Sequence, residues 1–337
     1  MSRALALPNL LLRKVRGACV RYLDGQLVSA TFGPQLADGY WRALIEEAGV
    51  ELERVIRVRG DTRGVFVVRH PAWGRCVLKT VLAARRPRVG LSNLWIAESV
   101  RASRPPLFPE IYEATADYTL EQYVDGRKLR AWAKDDFALE PVAEYLSHLR
   151  DWSRQPYAGL SGPTLRADEV RDLCRTHLEQ CVYRGRYATT ENALKVAFAA
   201  AGGSRLKAEI EWLWDEAGRV RLPRTVMCGD MWAENLLVQT GTDRVFNIDY
   251  ETLGPGHWGF DCAYLVSSLA KKGDCGPAVS QVRQVVFDGE YLGGEEATRF
   301  FSVLADVLAE ISRTLYGAAE PARAPSVARA PGLPGEG

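Results

Sequence analysis

One stretch, residues 226–263, constrains the fold of this chain more than any other. It reads VMCGDMWAENLLVQTGTDRVFNIDYETLGPGHWGFDCA, with acids and one amide set between apolar runs. Two of those runs, LLV and VFNI, flank a polar turn that contains Gly, a pattern that predicts a β-hairpin. Asp230 and Asn235 precede the first strand and Asp249 follows the second, so we expect the three side chains to converge. Oxygen ligands of this kind suit Mg²⁺, which takes one or two carboxylates plus substrate phosphates.

Three short motifs in this stretch resemble those of the aminoglycoside phosphotransferase and choline kinase family, small-molecule relatives of the protein kinases. The family carries H-G-D-x-x-x-x-N, an I-D-W-E-like strand end and G-D-P-x-x-D. This chain has C-G-D-M-W-A-E-N, I-D-Y-E and G-H-W-G-F-D in the same order. The resemblance implies Asp230 as catalytic base and Asn235 and Asp249 as Mg²⁺ ligands. It also implies Asp261 as a brace under the catalytic loop, with Cys228 where the family has His.

Upstream of these motifs, the resemblance implies residues that handle the nucleotide phosphates. Residues 54–81 have the composition of three antiparallel strands, with Gly60 and Gly64 in a turn whose backbone N–H groups could approach phosphates. Lys79 ends an apolar V-L-K strand, as the phosphate-binding lysine does in kinases. Glu98 lies in a predicted helix and is the only acid between Lys79 and Glu110, so we expect it to pair with Lys79.

The run YTLEQYVDG, residues 118–126, resembles the segment that joins the two lobes of the family. By that match the carbonyl of Gln122 and the N–H of Val124 would hold adenine. Glu121 stands where the family usually has an apolar residue that faces the base, and this departure leaves the choice between ATP and GTP open.

The resulting fold prediction is α/β (α+β) and two-lobed, like a protein kinase. Residues 1–50 form an extension of one hairpin and one helix, and residues 51–124 form an N-lobe of antiparallel sheet plus helix that binds the nucleotide. A mostly helical C-lobe at 125–317 carries the catalytic β-hairpin and the substrate site. Residues 318–337, rich in Ala, Pro and Gly, are predicted to be disordered.

Composition narrows the class of partner. The formal net charge of +1 argues against nucleic-acid binding and against a polybasic membrane surface. No run of eighteen apolar residues and no signal-like segment occurs, so we expect a cytoplasmic protein. The seven cysteines show no C-x-x-C spacing, which favours reduced core thiols. Lys and Arg outnumber Asp and Glu by 18 to 12 in residues 1–124, whereas acids lead by 30 to 25 in residues 125–337.

The predicted activity is a Mg²⁺-dependent phosphotransferase with an alcohol group as acceptor. It would move the γ-phosphoryl group of ATP or GTP to a hydroxyl of a sugar-bearing compound, an antibiotic of aminoglycoside or nucleoside type in a resistance or self-protection role. A metabolic amino-sugar or choline-like alcohol kinase is the alternative within the family. Aromatic residues near the motifs, Trp232, Trp258 and Tyr264, are candidates for walls that stack on the acceptor, with ordinary core packing as the other interpretation.

Two alternatives of other kinds rest on departures from the family motifs. A nucleotide-binding pseudokinase would fit Cys228 and Glu121, because both replace residues that the family usually has. A nucleophilic Cys228 is a second possibility, for which His257 is the only nearby residue that could activate the thiol.

Overall fold

The computed structural model describes residues 40–59, 63–80, 93–115, 117–155, 162–183, 204–250, 252–271 and 273–317. The chain divides into two compact units, Met1–Asp125 and Gly126–Gly337.

In its described residues, the first unit contains a five-stranded antiparallel sheet and two helices. In chain order the elements are α1 (Tyr40–Glu47), β1 (Glu51–Arg59), β2 (Arg63–His70), β3 (Gly74–Thr80), α2 (Asn93–Arg101), β4 (Ile111–Ala114) and β5 (Tyr118–Gln122). The strand order in the sheet is β1-β2-β3-β5-β4. The three antiparallel strands predicted between residues 54 and 81 are therefore confirmed as β1 to β3.

The two faces of this sheet differ in what they carry. Successive side chains of a strand point to opposite faces, so every second residue lies on the same face of the sheet. One face packs with Leu44 and Ala48, at the end of α1, in a cluster that also contains Phe66, Val68, Cys76, Leu78, Tyr118 and Leu120. The alternate positions, Lys79, Thr119 and Glu121, therefore share the other face.

Where the structure describes it, the second unit is mostly helical, with two small sheets. Its first elements are β6 (Gly126–Lys128), α3 (Leu129–Asp135), α4 (Leu139–Ser153), α5 (Ala167–Tyr183) and α6 (Ser204–Glu216). Then follow β7 (Thr225–Met227), β8 (Leu236–Gln239), β9 (Val245–Asn247) and β10 (Gly254–Gly256). The chain continues through α7 (Trp258–Ala270), α8 (Gly276–Val286), α9 (Gly289–Leu292) and α10 (Glu295–Gly317). The predicted hairpin is confirmed as the antiparallel pair β8 and β9, with β6 on the outer side of β8 and β10 paired with β7.

Helix α7 forms the centre of this unit. Every residue from Trp258 to Leu269 is buried, because the helix is apolar on nearly all sides. Position 259 has no room for a side chain, because a Cβ atom on Gly259 would lie 2.3 Å from the ring of Phe301 on α10. At the start of α7, His257 is the N-cap residue, and its Nδ1 accepts a hydrogen bond of 3.0 Å from the N–H of Gly259.

Several sequence predictions fall on residues that the structure does not describe. They are the hairpin of the extension at residues 1–50, Gly60 and the tail at 318–337. The six cysteines in the described ranges are buried and are not joined in disulfides. Among the described helices, none has both the length and the apolar content needed to cross a bilayer.

The cap residue His257 makes the stability of the second unit depend on pH. Burial lowers its pKa from 6.5 to about 3, and the charge of Arg154 adds to this fall. The unfolded chain therefore binds a proton below pH 6.5 that the folded chain does not, and stability is lost as pH falls from 6.5 towards 3. At pH 5 this term is about 2 kcal/mol.

We expect His257→Asn to reduce that loss, because Asn keeps an oxygen that can cap the helix but does not titrate. Urea unfolding at pH 7 and pH 5 measures the effect: the wild type should lose about 2 kcal/mol more than the variant between these two values. Equal losses would show that His257 is not the titrating group.

Candidate active site

The loop between β7 and β8 brings the first two predicted site residues into contact. The side-chain Nδ2 of Asn235 donates to the backbone carbonyl of Asp230, at 2.9 Å, and to its carboxylate Oδ2, at 3.1 Å. Within the loop, the N–H of Trp232 donates to the Asp230 carbonyl and the N–H of Asn235 to the Trp232 carbonyl, at 2.8 and 2.7 Å. These bonds close the loop into a compact turn, which fixes Asp230 and Asn235 relative to each other.

Asp249 reaches the same region through the pairing of β8 with β9. The last register pair is Leu236 with Asn247, and beyond it the N–H of Ile248 donates to the carbonyl of Asn235 at 2.9 Å. Asp249 is the next residue, and its N–H donates to Oδ1 of Asn247 at 3.0 Å. The hairpin thus places Asp249 next to Ile248, the residue whose N–H is bonded to Asn235.

The chemistry of the donor set fits Mg²⁺. Within the described residues, neither Oδ1 of Asn235 nor the carboxylate of Asp249 accepts a hydrogen bond from the protein, although both residues are half-buried. Nor do the described ranges contain a cluster of three or more His, Cys, Asp or Glu side chains that could hold a metal ion. One carboxylate and one amide oxygen suit a cation that keeps several waters or phosphate oxygens.

The carboxylate of Asp261 holds the start of the loop between β7 and β8. Its Oδ2 accepts from the N–H of Cys228 and its Oδ1 from the N–H of Gly229, each at 2.7 Å. Burial raises the pKa of the Asp261 carboxyl to about 7, against the lowering effect of these two N–H groups, and the charge of Asp230 raises it further. These are the contacts that the predicted brace requires.

Gly229 is needed at the point where Asp261 holds the chain. Its φ is +80°, a conformation that L side chains rarely adopt. A Cβ atom there would also lie 2.8 Å from the carbonyl oxygen of Thr252. The hydroxyl of Thr252 in turn donates to the carbonyl of Cys228 at 2.7 Å, so the loop entrance is held on both sides.

The environment of Cys228 argues against a nucleophilic role. The side chain is fully buried, and burial followed by the Asp261 charge raises its thiol pKa well above the usual value. A reactive cysteine needs the thiolate form and access to the reactant. In His257, the candidate activator, Nδ1 already accepts the hydrogen bond that caps α7.

Two further anchors of the loop were not found in the sequence. The hydroxyl of Ser268, on α7, accepts from the N–H of Ala233 at 2.9 Å. The backbone N–H of Arg130 donates to the carbonyl of Ala233, and its guanidinium donates to the carbonyls of Ser268 and Leu269 at the end of α7. No spacing in the sequence marks these contacts, because they join residues more than 30 positions apart.

In the first unit, the structure corrects the predicted pairing of Lys79 with Glu98. The Nζ of Lys79 lies 2.6 Å from Oε2 of Glu121, and both side chains are buried. Glu98 is exposed, because the buried residues of α2 lie on another face of the helix: Ile96, Ala97, Ser99 and Val100. Glu121, seen in the sequence only as a departure from the family pattern, is therefore the residue that sequence reasoning missed as the carboxylate partner.

The other predicted nucleotide residues are placed as follows. The N–H of Gly64, on β2, donates to Oγ1 of Thr80 at 2.6 Å. Gln122 ends β5, where its N–H donates to the carbonyl of Glu110 at 2.8 Å, and Val124 is buried two residues beyond it. Contacts of Gln122 and Val124 with adenine stay a prediction.

The aromatic residues near the motifs are core residues. Trp232, Trp258 and Tyr264 are 2%, 1% and 0% exposed, which leaves no ring face for an acceptor to stack on. Trp232 packs on Tyr264 with ring centroids 4.7 Å apart, and Trp258 stacks on His257 at 4.0 Å. The interpretation as stacking walls was wrong.

Comparison with known families agrees with this geometry. Residues 52–301 match the sequence model of the phosphotransferase enzyme family (APH). The chain belongs to this family. The match spans both units and includes every motif residue discussed above, so the chain is a phosphotransferase. A search of curated proteins gives no match.

Solved structures share the fold at low sequence identity. Choline kinase from Streptococcus pneumoniae is 12% identical, with a TM-score of 0.50 over 83% of this chain and 92% of that one. An amicoumacin kinase in complex with AMP-PNP, Ca²⁺ and Ami is 11% identical, with a TM-score of 0.50 over 82% and 88%. An aminoglycoside-3′-phosphotransferase of type VIII is 21% identical, with a TM-score of 0.48 over 79% and 97%. The predicted kinase-like fold class is confirmed.

The contacts of Asp261 predict a stability change for Asp261→Asn. The amide nitrogen of Asn cannot accept from a backbone N–H, so one buried N–H of the loop loses its partner. We expect a loss of about 1–3 kcal/mol in the free energy of unfolding, measured by urea denaturation.

The matched control for this variant is Asp172→Asn, which removes an exposed carboxylate that pairs with Arg175 in the same unit. It should cost at most about 1 kcal/mol. If the two variants unfold at the same urea concentration, the hydrogen bonds of Asp261 do not stabilise the loop.

Proposed function

We propose that this protein is a small-molecule kinase that transfers the γ-phosphoryl group of ATP, or of GTP, to a hydroxyl of a sugar-bearing compound. The observation that carries the proposal is the contact of Asp230 with Asn235, in a loop whose entrance is fixed by the buried Asp261. Phosphoryl transfer asks the protein mainly for positioning and for neutralisation of charge. A compact loop that presents a carboxylate beside metal-binding oxygens supplies the positioning.

Asp230 is the proposed catalytic base. In this role its carboxylate orients the attacking hydroxyl of the acceptor and accepts its proton as the oxygen–phosphorus bond forms. Asn235 supports that role because its amide donates to the carboxylate and to the main chain of the same residue. The nucleoside diphosphate leaves with the electron pair of the broken phosphorus–oxygen bond.

Asn235 and Asp249 are the proposed ligands of Mg²⁺. Support comes from the acceptor oxygens of both residues, to which no described donor of the protein is bonded. When bound, Mg²⁺ would neutralise the charge on the phosphate oxygens of the nucleotide. The amicoumacin kinase that shares the fold is described with AMP-PNP and Ca²⁺, which supports a nucleotide and a divalent cation here.

The nucleotide phosphates are assigned to Lys79 and to the segment around Gly60 and Gly64. Lys79 is a buried cation of the first unit and lies next to the last residue of β3, where its ammonium group is held by a carboxylate. Gln122 and Val124, at and just after the end of β5, are the proposed contacts of the base.

For the acceptor, we propose a cationic, sugar-bearing antibiotic of aminoglycoside or nucleoside type. The excess of acids over bases in residues 125–337, 30 against 25, favours a cationic molecule over an anionic one. The two relatives with a TM-score of 0.50 are described as kinases of choline and of amicoumacin, so both an alcohol amine and an antibiotic belong in the test.

The proposed role of Asp230 predicts a large loss of turnover in Asp230→Asn. Purified protein with Mg²⁺ and either ATP or GTP is incubated with aminoglycosides, nucleoside antibiotics, amino sugars and choline, and mass spectrometry records the gain of one phosphoryl group. We expect a product with an antibiotic, and a fall of about 10²–10⁴-fold in kcat for the variant because the general base is lost.

The control is Asp243→Asn, which changes an exposed acid in the β8–β9 turn. Its turnover should equal that of the wild type. Near-normal turnover by Asp230→Asn would remove Asp230 from its role. Tight nucleotide binding with no product from any acceptor would favour a pseudokinase, and a product only with choline or an amino sugar would favour a metabolic kinase.

The metal assignment predicts that Asp249→Asn raises the demand for Mg²⁺. Loss of the only charged ligand should increase the Mg²⁺ concentration for half-maximal turnover by about tenfold or more. A Mg²⁺ titration at saturating nucleotide measures the shift. An unchanged half-maximal concentration would show that Asp249 is not a ligand.

A further inference from the structure

The sheet of the first unit contains a buried ion pair that joins two of its central strands. Lys79 on β3 lies directly opposite Thr119 on β5, and Glu121 is two residues further along β5. Alternate residues of a strand share a face, and long side chains reach diagonal neighbours across a pair of strands. The Nζ of Lys79 accordingly lies 2.6 Å from Oε2 of Glu121.

We propose that Glu121, a residue of the sheet, positions Lys79 for the nucleotide phosphates in place of a helix carboxylate. This inference rests on the proposed function, since it assigns to Lys79 a nucleotide to bind. Glu121 is a positioning residue: it acts through Lys79 and has no contact of its own with the phosphates.

The second oxygen of Glu121 fixes the direction of the carboxylate. Oε1 accepts a hydrogen bond of 2.7 Å from the hydroxyl of Thr119, so both carboxylate oxygens have a donor within the same strand pair. The Glu121 side chain is 1% exposed, and a buried carboxylate is costly unless it is paired and hydrogen-bonded. Its geometry is therefore tightly constrained, and with it the reach of the Lys79 ammonium group.

Helix α2 offers no equal partner. Glu98 is exposed, whereas Ile96, Ala97 and Val100 of the same helix are buried. The helix is fixed to β4 by the guanidinium of Arg101, whose Nε and Nη2 donate to the carbonyl of Ile111 at 3.1 and 3.0 Å. The lysine is thus aligned by the register of β3 with β5, and its alignment does not require α2 to move.

The test compares Glu121→Gln with Glu98→Gln. We expect Glu121→Gln to raise both the Kd for a non-hydrolysable nucleotide analogue (AMP-PNP or GMP-PNP) and the nucleotide KM by about 10–100-fold. The reason is that Lys79 loses its charged partner. The acceptor KM should stay within about twofold, whereas a general folding defect would change both constants. For Glu98→Gln, all of these constants should stay within about twofold of the wild-type values.

The binding measurement uses calorimetric titration with AMP-PNP and GMP-PNP, so it needs no turnover. Weaker binding to Glu121→Gln in a protein that phosphorylates no acceptor would leave the inference intact and defeat the proposed function. Equal binding by Glu121→Gln and the wild type, a larger effect of Glu98→Gln, or no binding of either analogue to the wild type would overturn the inference.

Glu51→Gln is the matched control. It removes an exposed carboxylate from the same sheet and should behave as wild type.

Two further variants keep the test possible if Glu121→Gln does not fold. Thr119→Val removes only the hydroxyl that orients the carboxylate, and we expect a rise of about 3–10-fold in Kd. The double variant Lys79→Met with Glu121→Leu replaces the pair by apolar side chains and should fold without binding nucleotide. Wild-type affinity in Thr119→Val or in the double variant would overturn the inference.

Discussion

The arrangement of the loop between β7 and β8 depends on one buried carboxylate. Asp261 belongs to α7, the most buried helix of the second unit, and it accepts the N–H groups of two consecutive loop residues, Cys228 and Gly229. A loop that enters a core must satisfy its backbone polar groups there, and a carboxylate with two acceptor oxygens satisfies two at once. Because α7 is packed on all sides, its carboxylate is a fixed reference point for the loop. The positions of Asp230 and Asn235 follow from it.

The same helix holds the loop at a second point. Ser268, seven residues after Asp261 and therefore close to the same side of α7, accepts the N–H of Ala233. Arg130 closes this end by bonding both to the Ala233 carbonyl and to the last carbonyls of the helix. Both ends of the short segment are thus anchored on one rigid element. A site built on such an element keeps its geometry better than one built on a free loop.

The buried ion pair of the first unit is also held by regular secondary structure, in this case by two strands of a sheet. Lys79 and Glu121 are held by strand register, since β3 and β5 are hydrogen-bonded neighbours. A charge buried in a sheet needs a partner within side-chain reach, and here the register of β3 with β5 supplies it from the adjacent strand. The acid at position 121 is therefore better understood as the counter-ion of Lys79 than as a residue that faces the base.

Local patterns in the sequence were sufficient to predict several of the strands and the residues of the loop before β8. Apolar alternation and turn residues were sufficient for β1 to β3 and for the β8–β9 hairpin, because these are local patterns. The positions of Asp230, Asn235 and Asp249 around the predicted hairpin also indicated one site, and the family resemblance added Asp261. The tertiary structure alone decided which carboxylate meets Lys79, because strand pairing between positions 79 and 121 is a long-range choice. It also decided that Trp232, Trp258 and Tyr264 are core, because burial depends on the elements that cover them and not on their own spacing.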